Sequence, residues 1–300
     1  MSSEKLRHGA LVYESDDEYV AHSLAFLKDG LEAGEGCVVA HTRDGIAMMR
    51  DALGSDAERV RFVDVGAVYT RPAQALAAYC GTLVRELRDA PSVRAVADVQ
   101  IGPWAGEWDE WVRYEAMTNL AYAHLPAWLV CTYDVNGVPD AVLDTVWSTH
   151  AEALGDGPAA GRFEDPRELM RRLTAEPDPL PELRSLTAGD GLEEFRERLA
   201  RELTAANVPE PRALDMLVAG TEVAANAVRH GGGIAGVRAG SAGGRFVCEV
   251  IDRGAGFDDP MAGYLVPRAG TGSGLWIARQ LAWRLEAFQS PRGFTVRLWA

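Results

Sequence analysis

The order of apolar segments reverses halfway along this chain, and that reversal constrains the fold more than any single motif. From residue 8 to 150, short apolar runs alternate with amphipathic stretches. "ALVYES", "CVVAHT", "VRFVDV", "VRAVADVQ" and "AWLVCTYD" read as strands, and "DEYVAHSLAFLKDGLEAG" and "PAQALAAYCGTLVRELRDA" read as helices. Strand-helix alternation requires a mostly parallel sheet with helices on its faces. After residue 187 the order is helix, helix, strand, strand, a glycine-rich loop, a helix near Ser273 and a last strand, "GFTVRLWA". Helices first and mainly antiparallel strands afterwards predict an α+β two-layer sandwich. Between the two patterns, residues 151–187 are rich in Pro, Gly and charge around one short helix, and read as a linker. The predicted organisation is therefore 1–150, a linker, and 188–300.

Composition narrows the functions available. The formal charge is -14 with no gathered basic patch, so no nucleic acid partner is expected. Lys5 and Lys28 are the only lysines, which excludes a GxxxxGK[ST] phosphate loop; phosphate would have to be held by backbone amides, arginine or metal. The cysteines Cys37, Cys80, Cys131 and Cys248 show no CxxC spacing and are expected as free thiols. No apolar stretch reaches the ~20 residues of a membrane span. The opening "MSSEKLRHG" lacks a signal-peptide core, so a cytoplasmic location is expected.

The chemistry-bearing residues concentrate in the last third. In "AGTEVAANAVRHGGG", Glu222 and Asn226 are one helical turn apart and share a face that Arg229 and His230 continue. "VIDRGAGFDD" puts Asp252 at a strand end, followed by Gly254 and Gly256. "RAGTGSGLWIARQLA" runs Gly270, Gly272 and Gly274 into an amphipathic helix that begins with Leu275. Glycines there let backbone amides approach an anion, and the helix N-terminus adds partial positive charge. Each piece alone arises readily by chance; the three in this order, on the expected element types, point to nucleotide binding.

This set resembles the GHKL ATP-binding fold of gyrase and histidine kinases, and more closely the anti-sigma serine/threonine kinases, over residues 188–300. The resemblance implies ATP and Mg2+ as cofactors, with Glu222 as general base and Asn226 as magnesium ligand. It puts Arg229 near the phosphates and Asp252 on the adenine amino group, with Gly254, Gly256 and Thr295 beside it. Gly270, Gly272, Gly274 and Leu275 fall around the phosphates. It also implies a sigma factor and an anti-anti-sigma protein of the STAS type as partners, and a homodimer. No phosphoacceptor histidine helix precedes the domain, so histidine autophosphorylation is not expected. The rival expectation is a module that holds a partner protein and uses nucleotide only structurally.

Residues 8–150 resemble the MEDS sensory domain, of RecA-like α/β fold, on "RHGALVYESDDEYV", "FLKDGLEAGEGCVVA", "RYEAMTNLAYAHLPAWLVCTYD" and the closing "STH". "GLEAGEGCVVAHT" falls where a hydrolysing relative would have its phosphate loop and contains no Lys, so no nucleotide hydrolysis is expected from this domain. Trp104, Trp108 and Trp111 recur at helical spacing, either as a pocket or dimer face or, the reading favoured, as a packing cluster. His8, Glu115 and His150 are candidates to converge at strand ends on a metal or signal site. Asp134 reads as a strand-terminating turn residue.

Overall fold

The computed structural model describes residues 5–68, 71–99, 107–155, 162–174, 177–186, 191–257, 259–267 and 272–300. The chain divides into two compact units, Met1–Leu169 and Met170–Ala300, each with its own sheet.

The first unit follows the alternation seen in the sequence. β1 (Arg7–Tyr13) and α1 (Asp16–Glu32) lead to β2 (Gly36–His41), α2 (Arg43–Leu53) and a 3-10 turn, Gly54–Arg59. β3 (Val60–Asp64), α3 (Val65–Val68), α4 (Pro72–Glu86), β4 (Val93–Asp98) and α5 (Glu107–Ala121) come next. The unit closes with β5 (Ala127–Asp134), α6 (Asp140–Thr149) and the short β6 (Glu152–Ala153). The sheet order is β3-β2-β4-β5-β1-β6, and every adjacent pair is parallel. Strands buried on both faces need continuous apolar runs, which explains why Val38, Val39 and Ala40 are all buried. On one face Phe26, Leu27, Met49 and Leu53 of α1 and α2 pack on Val39, Val96 and Val130. On the other, Val142 and Val146 of α6 pack on Ala10, Cys131 and Tyr133.

One expectation about this unit needs correction. The glycine run in "GLEAGEG" does not stand where a phosphate loop would. It carries the chain off the C-terminus of α1, with Gly34 at φ 73°, and into β2. A phosphate loop leaves a strand and enters a helix N-terminus, where amides are free; this run leaves a helix where carbonyls are free. The true strand-to-helix turn, after β1, is capped by Ser15, whose Oγ accepts from the Glu18 N–H at 3.3 Å. It opens α1 with Asp16, Asp17 and Glu18.

After α7 (Pro166–Leu173), the second unit runs β7 (Arg184–Leu186), α8 (Leu192–Ala205), α9 (Glu210–His230), β8 (Ile234–Ala242) and β9 (Arg245–Asp252). It ends with α10 (Gly274–Leu281), β10 (Arg284–Ser290) and β11 (Gly293–Trp299). The sheet is antiparallel in the order β10-β11-β9-β8-β7. β7 and β10 go beyond the sequence reading. One face carries the core: Phe195, Leu199 and Leu203 of α8, Met216, Val223 and Ala227 of α9, and Ala278 of α10. These pack on Val237, Phe246, Cys248, Val250, Phe294 and Val296.

The opposite face of the same strands is charged and still buried. Glu249, 2% exposed, accepts from Arg297 Nε at 2.8 Å and from Arg238 Nη1 at 2.7 Å. A strap of chain crosses this face and shelters these side chains. Arg238 Nη2 donates to the carbonyls of Leu180 (2.8 Å) and Leu183 (3.1 Å), and Arg297 Nη1 to that of Asp178 (3.2 Å). The Pro-rich stretch read as linker thus ends as a layer of this unit. Among the described residues no helix is long and apolar enough to cross a membrane.

Candidate functional site

Helix α9 buries Met216, Ala219, Val223 and Ala227 along one stripe. Glu222 and Asn226 flank that stripe, so their side chains leave the core half-buried at its edge. There they meet the first residue of α10. A Cβ on Gly274 would lie 2.7 Å from Glu222 Oε2 and 3.3 Å from both amide atoms of Asn226. Gly274 lets α10 start in direct contact with this pair, and a larger residue there would push the Glu222 carboxylate aside. Neither side chain makes a hydrogen bond among the described residues, which leaves a carboxylate and an amide oxygen open at a helix N-terminus.

Asp252 lies at the other end of α9. β9 is tied to the helix by the Arg253 N–H, which donates to the Gly231 carbonyl at 2.9 Å. A Cβ on Gly231 would come within 2.4 Å of the Asp252 carboxyl carbon. Asp252 Oδ1 accepts from the Gly254 N–H at 2.8 Å. Partial burial raises the Asp252 pKa, and the Gly254 N–H works against that rise. Gly256, at φ 71°, lies so close to Phe294 that a Cβ would be 2.1 Å from its ring. Phe257 packs edge-on to Phe294 at 4.9 Å between centroids.

Between these ends, the chain after Asp252 is docked onto α10. Tyr264 is buried beneath the Arg279 guanidinium, 3.8 Å from its ring centroid, and Arg279 Nε donates to the Ala262 carbonyl at 3.2 Å. Gly263, φ 79°, approaches Leu275, whose carbonyl would stand 2.8 Å from an added Cβ. Leu275 is thus a half-buried packing residue at the first turn of α10. Gly272 faces open space, and Gly270 lies outside the described residues.

One expected residue is not brought to this group. Thr295 was expected beside Asp252, but strand alternation turns it to the other face: Phe294, not Thr295, is in register with Asp252. Thr295 Oγ1 instead shares a hydrogen bond with Ser290 Oγ at 3.0 Å and lines a cavity of about 380 Å³ beneath the strap. Arg229 is exposed on the last turn of α9, between Asn226 and Gly231, roughly 5 Å along the axis from Asn226 at 1.5 Å per residue. His230 is likewise exposed, as expected of a helix-end residue. Sequence reasoning missed Gly231 and Phe294; alternation along "GFTVRLWA" was the available signal for the second.

In the first unit, Trp108 packs on the cluster beneath α6 and Trp111 stacks edge-on with Tyr114 at 5.2 Å, a packing arrangement; Trp104 lies outside the described residues. Asp134 Oδ1 accepts from the Asn136 N–H at 2.8 Å, as a turn residue does.

The second unit thus sets one carboxylate, Asp252, about 13 Å along α9 from a second group of Glu222, Asn226 and Gly274. Comparison with known families matches the two units separately. Residues 7–151 match the family described as MEDS: MEthanogen/methylotroph, DcmR Sensory domain. Residues 188–299 match the Histidine kinase-like ATPase domain. No curated protein matches the chain.

Proposed function

Because the chain joins a MEDS domain to a histidine kinase-like ATPase domain, we propose that it is a sensory regulator that binds ATP-Mg2+ and phosphorylates Ser or Thr of an anti-anti-sigma partner. In this reading it also holds a sigma factor, and the MEDS domain supplies the signal. The observation that carries the proposal is the Glu222 and Asn226 pair set against Gly274 at the start of α10.

The residues fit an adenine nucleotide. Gly231 and Gly274 let the backbone come close to the Asp252 and Glu222 carboxylates, and one Asp252 oxygen is left to accept from an exocyclic amine. Asn226 offers the hard oxygen that magnesium prefers, and the α10 amides face negative charge favourably. Bound ATP would supply the transferable phosphoryl group. Glu222 then accepts the proton of the attacking hydroxyl, a contribution worth about 100-fold to 10,000-fold.

Incubation with labelled ATP and STAS-type candidates tests the proposal. The expected result is label on Ser or Thr of a partner, lost in Glu222→Gln. The second reading, a module that holds its partner and uses nucleotide only structurally, draws on the absence of any hydrogen bond orienting Glu222 among the described residues. Glu222→Ala with unchanged regulation and retained nucleotide binding would establish it in place of the kinase.

A further inference from the structure

The first unit holds a cluster that the nucleotide site does not use. His8 on β1, Glu115 on α5, Cys131 on β5 and His150 directly after α6 bring one ligand atom each to within 4.8 Å of one another. Their exposures are 3%, 0%, 6% and 2%. The fold imposes this meeting. β1 and β5 are neighbouring parallel strands with Ala10 opposite Cys131, so His8, two residues earlier, faces the same way. The helices α5 and α6 then bring Glu115 and His150 to that face.

The surroundings fix how the imidazoles point. Asn119 Nδ2 donates to the carbonyls of Glu115 (3.1 Å) and Thr149 (2.9 Å). That turns its Oδ1 toward His8 Nδ1, 3.2 Å away, which must donate. His150 Nδ1 donates to the Val146 carbonyl at 2.7 Å. With Nδ1 so engaged, a metal-binding imidazole at either position would offer its Nε2 lone pair inward, and the His150 Nε2 is buried with no hydrogen-bond partner. Outer nitrogens held by a carbonyl or amide oxygen, with inner ones left as lone pairs, is the arrangement that surrounds metal-bound histidines.

Four of the six ligand separations are those of a coordination shell, and all six lie within 4.8 Å. His8 Nε2 lies 3.4 Å from Cys131 Sγ and 3.4 Å from Glu115 Oε2. Glu115 Oε2 lies 3.6 Å from His150 Nε2 and 3.5 Å from Cys131 Sγ. A tetrahedral ion with metal–nitrogen and metal–sulfur bonds of about 2.0 and 2.3 Å separates its ligands by about 3.3 to 3.6 Å. Charge agrees as well: a dication with one thiolate and one carboxylate is neutral, which an interior lined by Ala10, Val142 and Val146 requires.

We infer that His8, Glu115, Cys131 and His150 form a closed zinc site. Nitrogen, sulfur and oxygen ligands together suit zinc, whereas magnesium and calcium take oxygen alone. Four protein ligands with no solvent access make it a structural site that ties β1, β5, α5 and α6 together.

Elemental analysis of the full-length protein, purified without chelator, should find zinc in near-equimolar amount. Protein stripped and reloaded with Co2+ should show tetrahedral ligand-field bands together with a thiolate-to-cobalt charge-transfer band. Cys131→Ser should lose the charge-transfer band, while His124→Ala, outside the cluster, keeps it. Should Cys131→Ser fail to fold, the wild-type chain decides: its thermal midpoint should fall by several degrees on stripping and return with zinc. Protein that folds without stoichiometric zinc, a spectrum unchanged in Cys131→Ser, or a midpoint indifferent to zinc would each overturn the assignment.

Discussion

Asp252 keeps one oxygen on its own loop, the Gly254 N–H, and its other oxygen accepts no hydrogen bond among the described residues. Asp252→Asn is expected to weaken adenine nucleotide by about 1 to 3 kcal/mol, one charge-assisted hydrogen bond, read by calorimetry with Mg-ATP. Equal affinity would remove Asp252 from the site. Gly231→Ala should abolish binding in the same assay, since the new methyl would stand 2.4 Å from the Asp252 carboxyl, whereas Gly272→Ala meets nothing and should fold normally. Thr295→Val should leave nucleotide affinity unchanged and cost about 1 kcal/mol of stability through the lost Ser290 bond. At this scale the sequence was legible wherever helical spacing alone sets a neighbour, as for Glu222 and Asn226. It failed where a residue's face depends on strand phase: Thr295 has the right chemistry on the wrong side, and Gly231 acquires meaning only when β9 returns to α9.

Helix α9 is the element that organises the second unit, because it packs on α8, on α10 and on the sheet. Its crossing with α8 is close at Gly220, where a Cβ would meet Leu199 Cδ2 at 2.6 Å. Leu199→Ala should therefore cost about 2 to 5 kcal/mol in a urea melt, with a cavity at that crossing. The parallel strands of the first unit were readable because burial on both faces leaves unbroken apolar runs. β10 was missed although Arg284 and Glu286 alternate with Leu285 and Ala287, the period of a half-buried strand. What the alternation does not announce is that the charged side is also sheltered, with the Arg284 and Glu286 side chains 15% and 8% exposed. β7, three residues long, is set by its partner β8 rather than by its own composition.

For the molecule as a whole, two sheets of opposite character separate the part that matches the MEDS family from the part that matches the histidine kinase-like ATPase domain, and the reversal of element order along the chain marked that division. The charged face of the second sheet is part of its stability. Glu249→Ala would leave Arg238 and Arg297 without their shared carboxylate and should cost about 3 to 5 kcal/mol, measurable as an earlier denaturation transition for this unit. The strap that seals that face contains Pro177, Pro179 and Pro181. Proline has no N–H to leave stranded beneath a layer of arginines, yet it keeps its carbonyl. Arginine grips the strap by main-chain oxygens, and Leu183, buried with Ala242 and Val247 against Leu180 and Trp299, pins it from the side. Exchanging the side chains between those two leucines leaves both holds in place, whereas removing a single residue would slide the carbonyl acceptors and the leucine anchors out of register together.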